Sequence, residues 1–212
     1  MDHSSAPSAI LQARGLCFSY PQRPLFADLS FDLAPGVTLV RGGDGCGKTA
    51  LLRLLAGELA ADAGQLQIGG VRFDAEPPAY RQQVFWLDPR TDAFDQMTAA
   101  GYFDSLRARY PRFDAQALGR LVDGLALAPH LDKGLYMLST GSKRKVWLAA
   151  AWASGAAVVL LDEPFAALDK ASAGFVAGLL AQEAGQTARA WVLADYVAPA
   201  QVPLAASIDL GD

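Results

Sequence analysis

The hydrophobic positions along the chain switch between two spacings, one typical of buried strands and one typical of helices. Residues 37–41 (VTLVR) and 157–161 (AVVLL) are short apolar runs, as expected for strands that are covered on both faces. Residues 48–59 place leucines with the period of about 3.6 residues that marks an amphipathic helix. Because such strands and helices alternate along the chain, the pattern predicts an α/β fold with a mainly parallel sheet.

The same reading assigns the other elements of this fold. Further strands are predicted at 10–19, 29–33, 84–87 and 190–194 (the last core strand), a hairpin at 64–73, and helices at 142–154 and 170–183. The first strands and the hairpin predict an N-terminal antiparallel β region. Residues 97–137 are helical in pattern, so we expect a helical insertion subdomain at about 90–140, within a single domain of residues 1–212.

Composition excludes several classes of function. The chain has 212 residues, 52% of them hydrophobic, which is enough for a full core, and a net charge of −4, which argues against nucleic acid as the main partner. Two cysteines and two histidines are too few for a disulfide framework or a zinc cluster. Met1 to Ala9 contains no apolar secretory segment. The most apolar stretch, Val146 to Leu161, is interrupted by Ser154 and Gly155, so we expect no direct insertion into a membrane.

A glycine-rich loop after the third predicted strand is the first feature with chemistry. Residues 42–49 (GGDGCGKT) fit the phosphate-loop pattern G-x-x-x-x-G-K-[ST], and they lie between a strand and a helix, as that pattern requires. Backbone N–H groups of such a loop surround phosphates, the lysine reaches the β- and γ-phosphates, and the threonine hydroxyl ligates Mg²⁺. The predicted nucleotide-binding residues here are Gly42, Gly43, Asp44, Gly45, Cys46, Gly47, Lys48, Thr49 and Ala50.

Two adjacent carboxylates end the strand predicted at 157–161. In nucleotide hydrolases an acid at this place holds Mg²⁺, and we assign that role to Asp162 together with Thr49. Glu163 is then placed to accept a proton from the attacking water as a general base. Solvated acids at the end of a strand would be the simpler explanation if the phosphate loop were not present.

Several short motifs give the chain a family resemblance. Leu138–Ser142 (LSTGS) resembles the LSGGQ signature of ABC-type ATPases, about two dozen residues before Asp162. Glu163-Pro164 and Ala167–Asp169 (ALD) resemble the end of Walker B and the D-loop of that family, and Tyr20 lies where its A-loop aromatic stacks on adenine. The resemblance extends over roughly residues 11–194, and the signature with the D-loop is its most specific part.

This resemblance implies the ATP-binding subunit of a membrane transporter, of the compact exporter type. In that family two such domains enclose two ATP molecules head to tail, so Ser139, Thr140 and Gly141 would contact the ATP held by a second subunit. ATP and Mg²⁺ are the implied cofactors. The implied partners are a second ATPase subunit, in a homo- or heterodimer, and a membrane-spanning subunit that holds the chain at the cytoplasmic face. A soluble ATPase of translation or repair and a binding-only regulatory subunit remain alternatives.

The chain departs from the family pattern at the γ-phosphate end of the site. No glutamine occupies the Q-loop slot, where Asp88 or Pro89 stands, and we assign Asp88 to the metal site. Tyr196 takes the slot of the switch histidine, and we include it in the catalytic set with Glu163. A tyrosine is a poor cation near pH 7. We therefore hypothesise that ATP binding is retained while hydrolysis is slow or depends on a partner. The basic residues 143–145 are predicted to form a solvated face.

Overall fold

The computed structural model of the chain describes residues 9–211, so the expectation for the segment before Ala9 lies outside the described residues. Nine strands and six α-helices follow one another in this part of the chain. The strands are β1 (Leu11–Tyr20), β2 (Arg23–Leu33), β3 (Gly36–Arg41), β4 (Ala63–Ile68), β5 (Val71–Arg72), β6 (Val84–Trp86), β7 (Val158–Asp162), β8 (Ala190–Ala194) and β9 (Ala206–Asp209). The helices are α1 (Lys48–Leu55), α2 (Pro77–Arg81), α3 (Ala99–Arg109), α4 (Ala115–Gly124), α5 (Thr140–Ala153) and α6 (Lys170–Glu183).

A parallel sheet in the order β6-β7-β8-β3-β9 forms the centre of the molecule. All residues of β6, β7 and β8 are buried, which explains their nearly continuous apolar sequence. The α/β fold with a parallel core is thus confirmed. The carboxyl ends of β3 and β7 lie at the same edge of the sheet, and this arrangement brings the phosphate loop and the two carboxylates of the predicted site together.

A second sheet, in the order β2-β1-β4-β5, is antiparallel throughout and confirms the predicted N-terminal β region. It contains the hairpin of β4 and β5, although β5 is only two residues long. The strand predicted at 29–33 begins six residues earlier, at Arg23. Most of β2 faces solvent, so the start of the strand has charged and polar residues and no clear alternation of hydrophobic and polar positions.

The helices begin at side-chain caps that are visible in the sequence. Ser139 accepts a hydrogen bond from Ser142 N at the start of α5, and Asp169 does the same for Ser172 N at the start of α6. Helix α5 therefore starts two residues before the predicted position, while α6 has the predicted bounds. Helix α1 was predicted to extend to residue 59 but ends at Leu55, because Gly57 adopts a positive φ of 69° that terminates the helix.

Helices α3 and α4 lie between β6 and α5 and share a core with α5 and the sheet. Trp147 and Trp152 of α5 are buried in this core, and the Trp152 ring lies 4.3 Å from that of Trp191 on β8. Two short 3₁₀ turns, Ala128–His130 and Leu135–Met137, connect α4 to α5.

The buried strand predicted at 190–194 is confirmed with the same bounds as β8, although it is not the last strand, because β9 follows it. Two elements were missed. Strand β9 pairs with β3 at the sheet edge, where its half-exposed sequence gives no strong hydrophobic pattern. The single turn of α2 is too short to show a period. In residues 9–211 we find no helix with the length and apolarity needed to cross a bilayer.

Candidate functional site

The phosphate loop has a backbone shape that only glycine allows at two positions. Gly42 has a φ of 152°, and a Cβ there would lie 2.6 Å from both Cys46 Sγ and Gly211 O. Gly47 has a φ of 108°, and its Cβ would lie 2.9 Å from Phe26 Cζ. Within the described chain, no side chain caps the N-terminus of α1. The loop is therefore tightly turned and leads into an uncapped helix N-terminus, and these two features together are typical of an anion-binding site.

Lys48 is buried beneath this loop. Its ammonium donates hydrogen bonds to Gly42 O and Gly43 O, both at 2.8 Å, and only 7% of the residue is exposed. Two carbonyl groups hold the charge at the inner side of the loop, where the predicted phosphates would lie.

Thr49 and Asp162 meet although 113 positions separate them in the chain. Thr49 Oγ1 donates to Asp162 Oδ2 at 2.7 Å, across the adjoining ends of α1 and β7. Burial raises the pKa of Asp162, and the hydrogen bond from Thr49 works against that rise. A hydroxyl and a carboxylate oxygen at one point are donors that Mg²⁺ prefers, so these two residues fit the ion.

Glu163 follows directly and has a left-handed backbone, with a φ of 45°. Its N–H donates to Ala194 O at 2.9 Å, which ties this turn to the end of β8. A non-glycine residue in this conformation costs free energy, about 1–3 kcal/mol, and such residues concentrate at functional sites. The strained turn directs the carboxylate into the same space as Asp162.

These groups surround a cavity of about 350 Å³, here called the nucleotide cavity. Its lining includes residues of the phosphate loop, of the ends of β1 and β7, of the start of β2, of the turn after β6 and of the loop after β8. The lining residues are Tyr20, Arg23, Leu25, Asp44, Gly45, Gly47, Lys48, Thr49, Ala50, Arg90, Asp162, Glu163 and Tyr196. The structure thus brings together most of the predicted nucleotide residues, while Gly42, Gly43 and Cys46 form the back of the loop and do not line the cavity.

Tyr196 is an exposed residue that lines the nucleotide cavity. Its hydroxyl donates to the Asp44 carboxylate, and the Lys48 ammonium lies 4.1 Å from the centre of its ring. The bond to Asp44 raises the pKa of Tyr196 to about 12, so the phenol is neutral at physiological pH. The residue predicted to take the slot of the switch histidine therefore reaches the phosphate loop but carries no positive charge.

Asp88 does not line the nucleotide cavity, in contrast to the expectation that it lies at the metal. Its carboxylate accepts a hydrogen bond from Arg90 N at 2.9 Å and so stabilises a turn after β6. Arg90, rather than Asp88, lines the nucleotide cavity after this turn. The sequence patterns did not point to Arg90 or Arg23, because isolated arginines match no motif.

The signature segment, Leu138–Ser142, lies apart from the nucleotide cavity. Ser139 and Thr140 are exposed at the N-terminus of α5, and no residue of the segment lines the cavity. A Cβ on Gly141 would lie 2.5 Å from Ala167 O, so the signature packs closely against the D-loop. The contact of Ser139, Thr140 and Gly141 with nucleotide on a second subunit stays a prediction.

The prediction of a solvated basic face at residues 143–145 is wrong. Arg144 donates to the carbonyl oxygens of Asp162 and Glu163 at 2.7 and 3.0 Å. Lys143 forms an ion pair with Asp95 at 2.5 Å, and Lys145 forms one with Asp169 at 2.6 Å. All three are partly buried. Helix α5 thus connects the signature segment to the end of β7 and to the D-loop, which the one-dimensional pattern could not reveal.

Comparisons with known proteins agree with these features. The sequence model of a family described as "ABC transporter" matches residues 26–166. The chain is similar to three proteins named "Cytochrome c biogenesis ATP-binding export protein CcmA". That of Yersinia pestis is 31% identical over 84% of this chain and 82% of the relative. Those of Pseudomonas putida (35% identical, 76% and 77%) and Rhodospirillum rubrum (37% identical, 82% and 75%) are similar to it over comparable lengths.

Two solved structures show the same fold. One is entitled "Structure of ATP binding subunit of ABC transporter"; it has a TM-score of 0.80 and 19% identity, with 89% of this chain and 80% of that chain covered. The other is a putative ABC transporter ATP-binding protein from Pyrococcus furiosus, with a TM-score of 0.76, 20% identity, and coverage of 94% and 96%.

Proposed function

This chain belongs to the ABC transporter family and is an ATP-binding ATPase subunit of it, and from that premise we propose that it drives an exporter. In this proposal two subunits close around ATP and Mg²⁺, and hydrolysis reopens them. The movement is passed to a membrane-spanning partner, which holds the chain at the cytoplasmic face. The export direction rests on the relatives, whose names describe export proteins.

One observation carries the ATPase mechanism: Lys48, Thr49, Asp162 and Glu163 line one cavity although they come from distant parts of the chain. Lys48 and the loop N–H groups orient the phosphates. Glu163 accepts a proton from the water that attacks the γ-phosphate. Mg²⁺, held by Thr49 and Asp162, would neutralise charge on the β- and γ-phosphates.

The head-to-tail dimer is supported by the exposed position of the signature segment. Ser139 and Thr140 present a hydroxyl each and the N-terminus of α5 to the outside of the chain, and they do not reach its own cavity. A helix N-terminus with hydroxyl groups suits a phosphate of the nucleotide on the other subunit. Gly141 would be needed because the D-loop carbonyl lies where a side chain would project.

A groove between β6 and α3 is our candidate site for the membrane-spanning partner. It has a volume of about 110 Å³ and is adjacent to the turn that carries Asp88. The groove is lined by Phe85, Trp86, Leu87, Phe94, Tyr102, Ser105, Leu106, Arg109 and Tyr110. The Trp86 indole donates to Glu58 at 2.8 Å, so Trp86 also packs the core behind this groove. A short amphipathic helix of the partner would suit such a surface.

ATP turnover by the purified chain and by Glu163→Gln tests the proposal. We expect the substitution to reduce turnover by about 10²–10⁴-fold, the contribution of a general base, and to leave ATP binding intact. With Mg-ATP, Glu163→Gln should also accumulate as a dimer in size-exclusion chromatography. Glu76→Gln is the matched control, because Glu76 is exposed beside α2 and distant in sequence from the cavity residues.

A binding-only regulatory subunit is the second candidate, and it is favoured by the neutral phenol of Tyr196 at the phosphate loop. In that case the wild-type chain binds ATP but neither it nor Glu163→Gln shows turnover. Activity that appears only after another ATPase subunit is added would support this alternative. Turnover by the chain alone excludes it.

A further inference from the structure

We propose that Arg90 contacts the γ-phosphate of bound ATP and supplies the positive charge that Tyr196 cannot supply. The inference rests on the proposed function and extends it by one catalytic residue. Arg90 lies one or two residues after the predicted slot of the Q-loop glutamine, in a segment whose sequence departs from the family pattern. Tyr196 and Arg90 both line the nucleotide cavity.

The turn after β6 directs Arg90 into the nucleotide cavity. Thr91 N donates to Asp88 O at 3.0 Å, and Arg90 N donates to Asp88 Oδ1 at 2.9 Å. Pro89 restricts the backbone between these bonds. The side chain lines the same cavity as Thr49 and Asp162, and its charge is close enough to act on Asp162. Asp88 therefore has a positioning role, while Arg90 has the charge that reaches the site.

The Arg90 guanidinium is available to a ligand. Within residues 9–211 it forms no ion pair within 4.0 Å, and only its backbone N–H makes a hydrogen bond. Arg144, the other arginine at the end of β7, is already bound to the carbonyl oxygens of Asp162 and Glu163. Lys48 in turn donates to two loop carbonyls. Among the described residues, Arg23 and Arg90 are thus the cavity cations whose side-chain donors are uncommitted, and Arg90 is the one whose charge acts on Asp162.

The electrostatics of the cavity also favour this role. Its lining has three carboxylates, Asp44, Asp162 and Glu163, and three cations, Arg23, Lys48 and Arg90. The charge of Arg90 lowers the pKa of Asp162 against the effect of burial, so the guanidinium acts on the carboxylate that faces the predicted phosphates. Without Arg90 the carboxylates would be in excess, and the polyanion ATP would enter a negative site.

The chemistry of the step requires a donor at this place. As water attacks, its oxygen bonds to the γ-phosphorus, the bond from that phosphorus to the β–γ bridging oxygen breaks, and ADP and phosphate form. The water proton goes to Glu163 and then to solvent. Negative charge is spread over the γ-phosphate oxygens in the transition state, and an arginine with five donors in a planar fork stabilises that charge.

Arg90→Ala, Arg90→Lys and Arg72→Ala test this inference in binding and turnover assays. We expect Arg90→Ala to weaken ATP binding about ten-fold, to leave ADP binding nearly unchanged, and to slow single-turnover hydrolysis by about 100-fold. Arg90→Lys should recover part of both losses, because it keeps the charge but not the fork. Arg72 is exposed on β5 of the other sheet, and its removal should change neither quantity.

The outcomes separate this inference from the proposed function. If the wild-type chain binds no ATP, both are overturned. If wild type binds and hydrolyses ATP and Arg90→Ala does so equally well, only the role of Arg90 is overturned. If the wild-type chain binds ATP without turnover, only the ratio of ATP affinity to ADP affinity tests the Arg90 contact. Loss of the preference for ATP over ADP in Arg90→Ala supports the contact, and an unchanged preference contradicts it. Circular dichroism verifies that each variant is folded.

Discussion

The two ends of the nucleotide cavity are built in different ways. At the inner end, Lys48 and Asp162 are buried, and each is held by hydrogen bonds from within the core: Lys48 to the loop carbonyls and Asp162 to Thr49. At the outer end, Tyr196 and Arg90 are exposed side chains on loops. The inner end follows the family pattern, and the outer end departs from it.

This difference shows which parts of the site tolerate change. A substitution at the inner end disturbs the packing of α1, β3 and β7 as well as the ligand contacts, because the same atoms do both. A substitution at the outer end alters contacts with the γ-phosphate while the fold is unaffected. Phosphate binding is therefore tied to the architecture, and the control of hydrolysis can vary between related chains.

Removal of the Lys48 charge should have the largest effect on nucleotide affinity. Lys48→Ala loses a charge-assisted contact with phosphate of about 1.5–3 kcal/mol, so we expect ATP binding to weaken by about 10–100-fold. Titration with a fluorescent ATP analogue measures it. Lys133→Ala, a change at an exposed lysine before the signature, is the control. Unchanged affinity in Lys48→Ala would show that the inner end is not the phosphate site.

Restoring a histidine at position 196 should have a smaller effect, and in the opposite direction. Tyr196→His introduces a side chain that can be positively charged near the γ-phosphate, and it removes the bond to Asp44. We expect turnover to increase about ten-fold, less than a full general acid–base contribution because Arg90 already supplies one cation. Tyr196→Phe, which removes only the hydroxyl, is the matched variant and should change turnover little. Brisk wild-type turnover that Tyr196→His does not raise would contradict the hypothesis of slow hydrolysis.

The sequence predicted the inner end well, for physical reasons. A phosphate loop needs its glycines, lysine and threonine in a fixed order, because one continuous backbone turn surrounds the phosphates. The acid at position 162 follows a buried strand, and in a parallel sheet all such carboxyl ends meet at one edge. Both signals are local, so a reading along the chain can detect them.

The outer end could not be predicted in the same way. Arg90 reaches the cavity only because Asp88 closes a turn, and Lys143, Arg144 and Lys145 find partners 18–48 positions away in the chain. Contacts between separate loops leave no period or motif in the sequence. Strand β9 could not be predicted for the same reason, because it is defined by its pairing with β3 and not by a hydrophobic pattern of its own.

The smallest effect that we predict concerns the stability of the inner end. Burial raises the pKa of Asp162. When the pH lies above that pKa, the buried carboxylate is ionised, and its lost hydration destabilises the folded state. The folded state binds the proton more tightly than the unfolded state, and the free energy of unfolding therefore falls as the pH rises from the ordinary aspartate pKa through the raised one.

Asp162→Asn removes this cost and keeps an oxygen that can accept a hydrogen bond from Thr49. We expect the melting temperature of the nucleotide-free chain to rise by a few degrees at pH 7, at about 2–4 °C for each kcal/mol, and the gain in melting temperature on adding Mg-ATP to shrink. Calorimetry with and without Mg-ATP measures both. Asp195→Asn, on the loop before Tyr196, is the control for a lost charge near the cavity. If Asp162→Asn lowers the melting temperature of the nucleotide-free chain, the prediction is contradicted. The buried carboxylate then stabilises the fold, and the inner end carries no energetic cost that a bound cation would relieve.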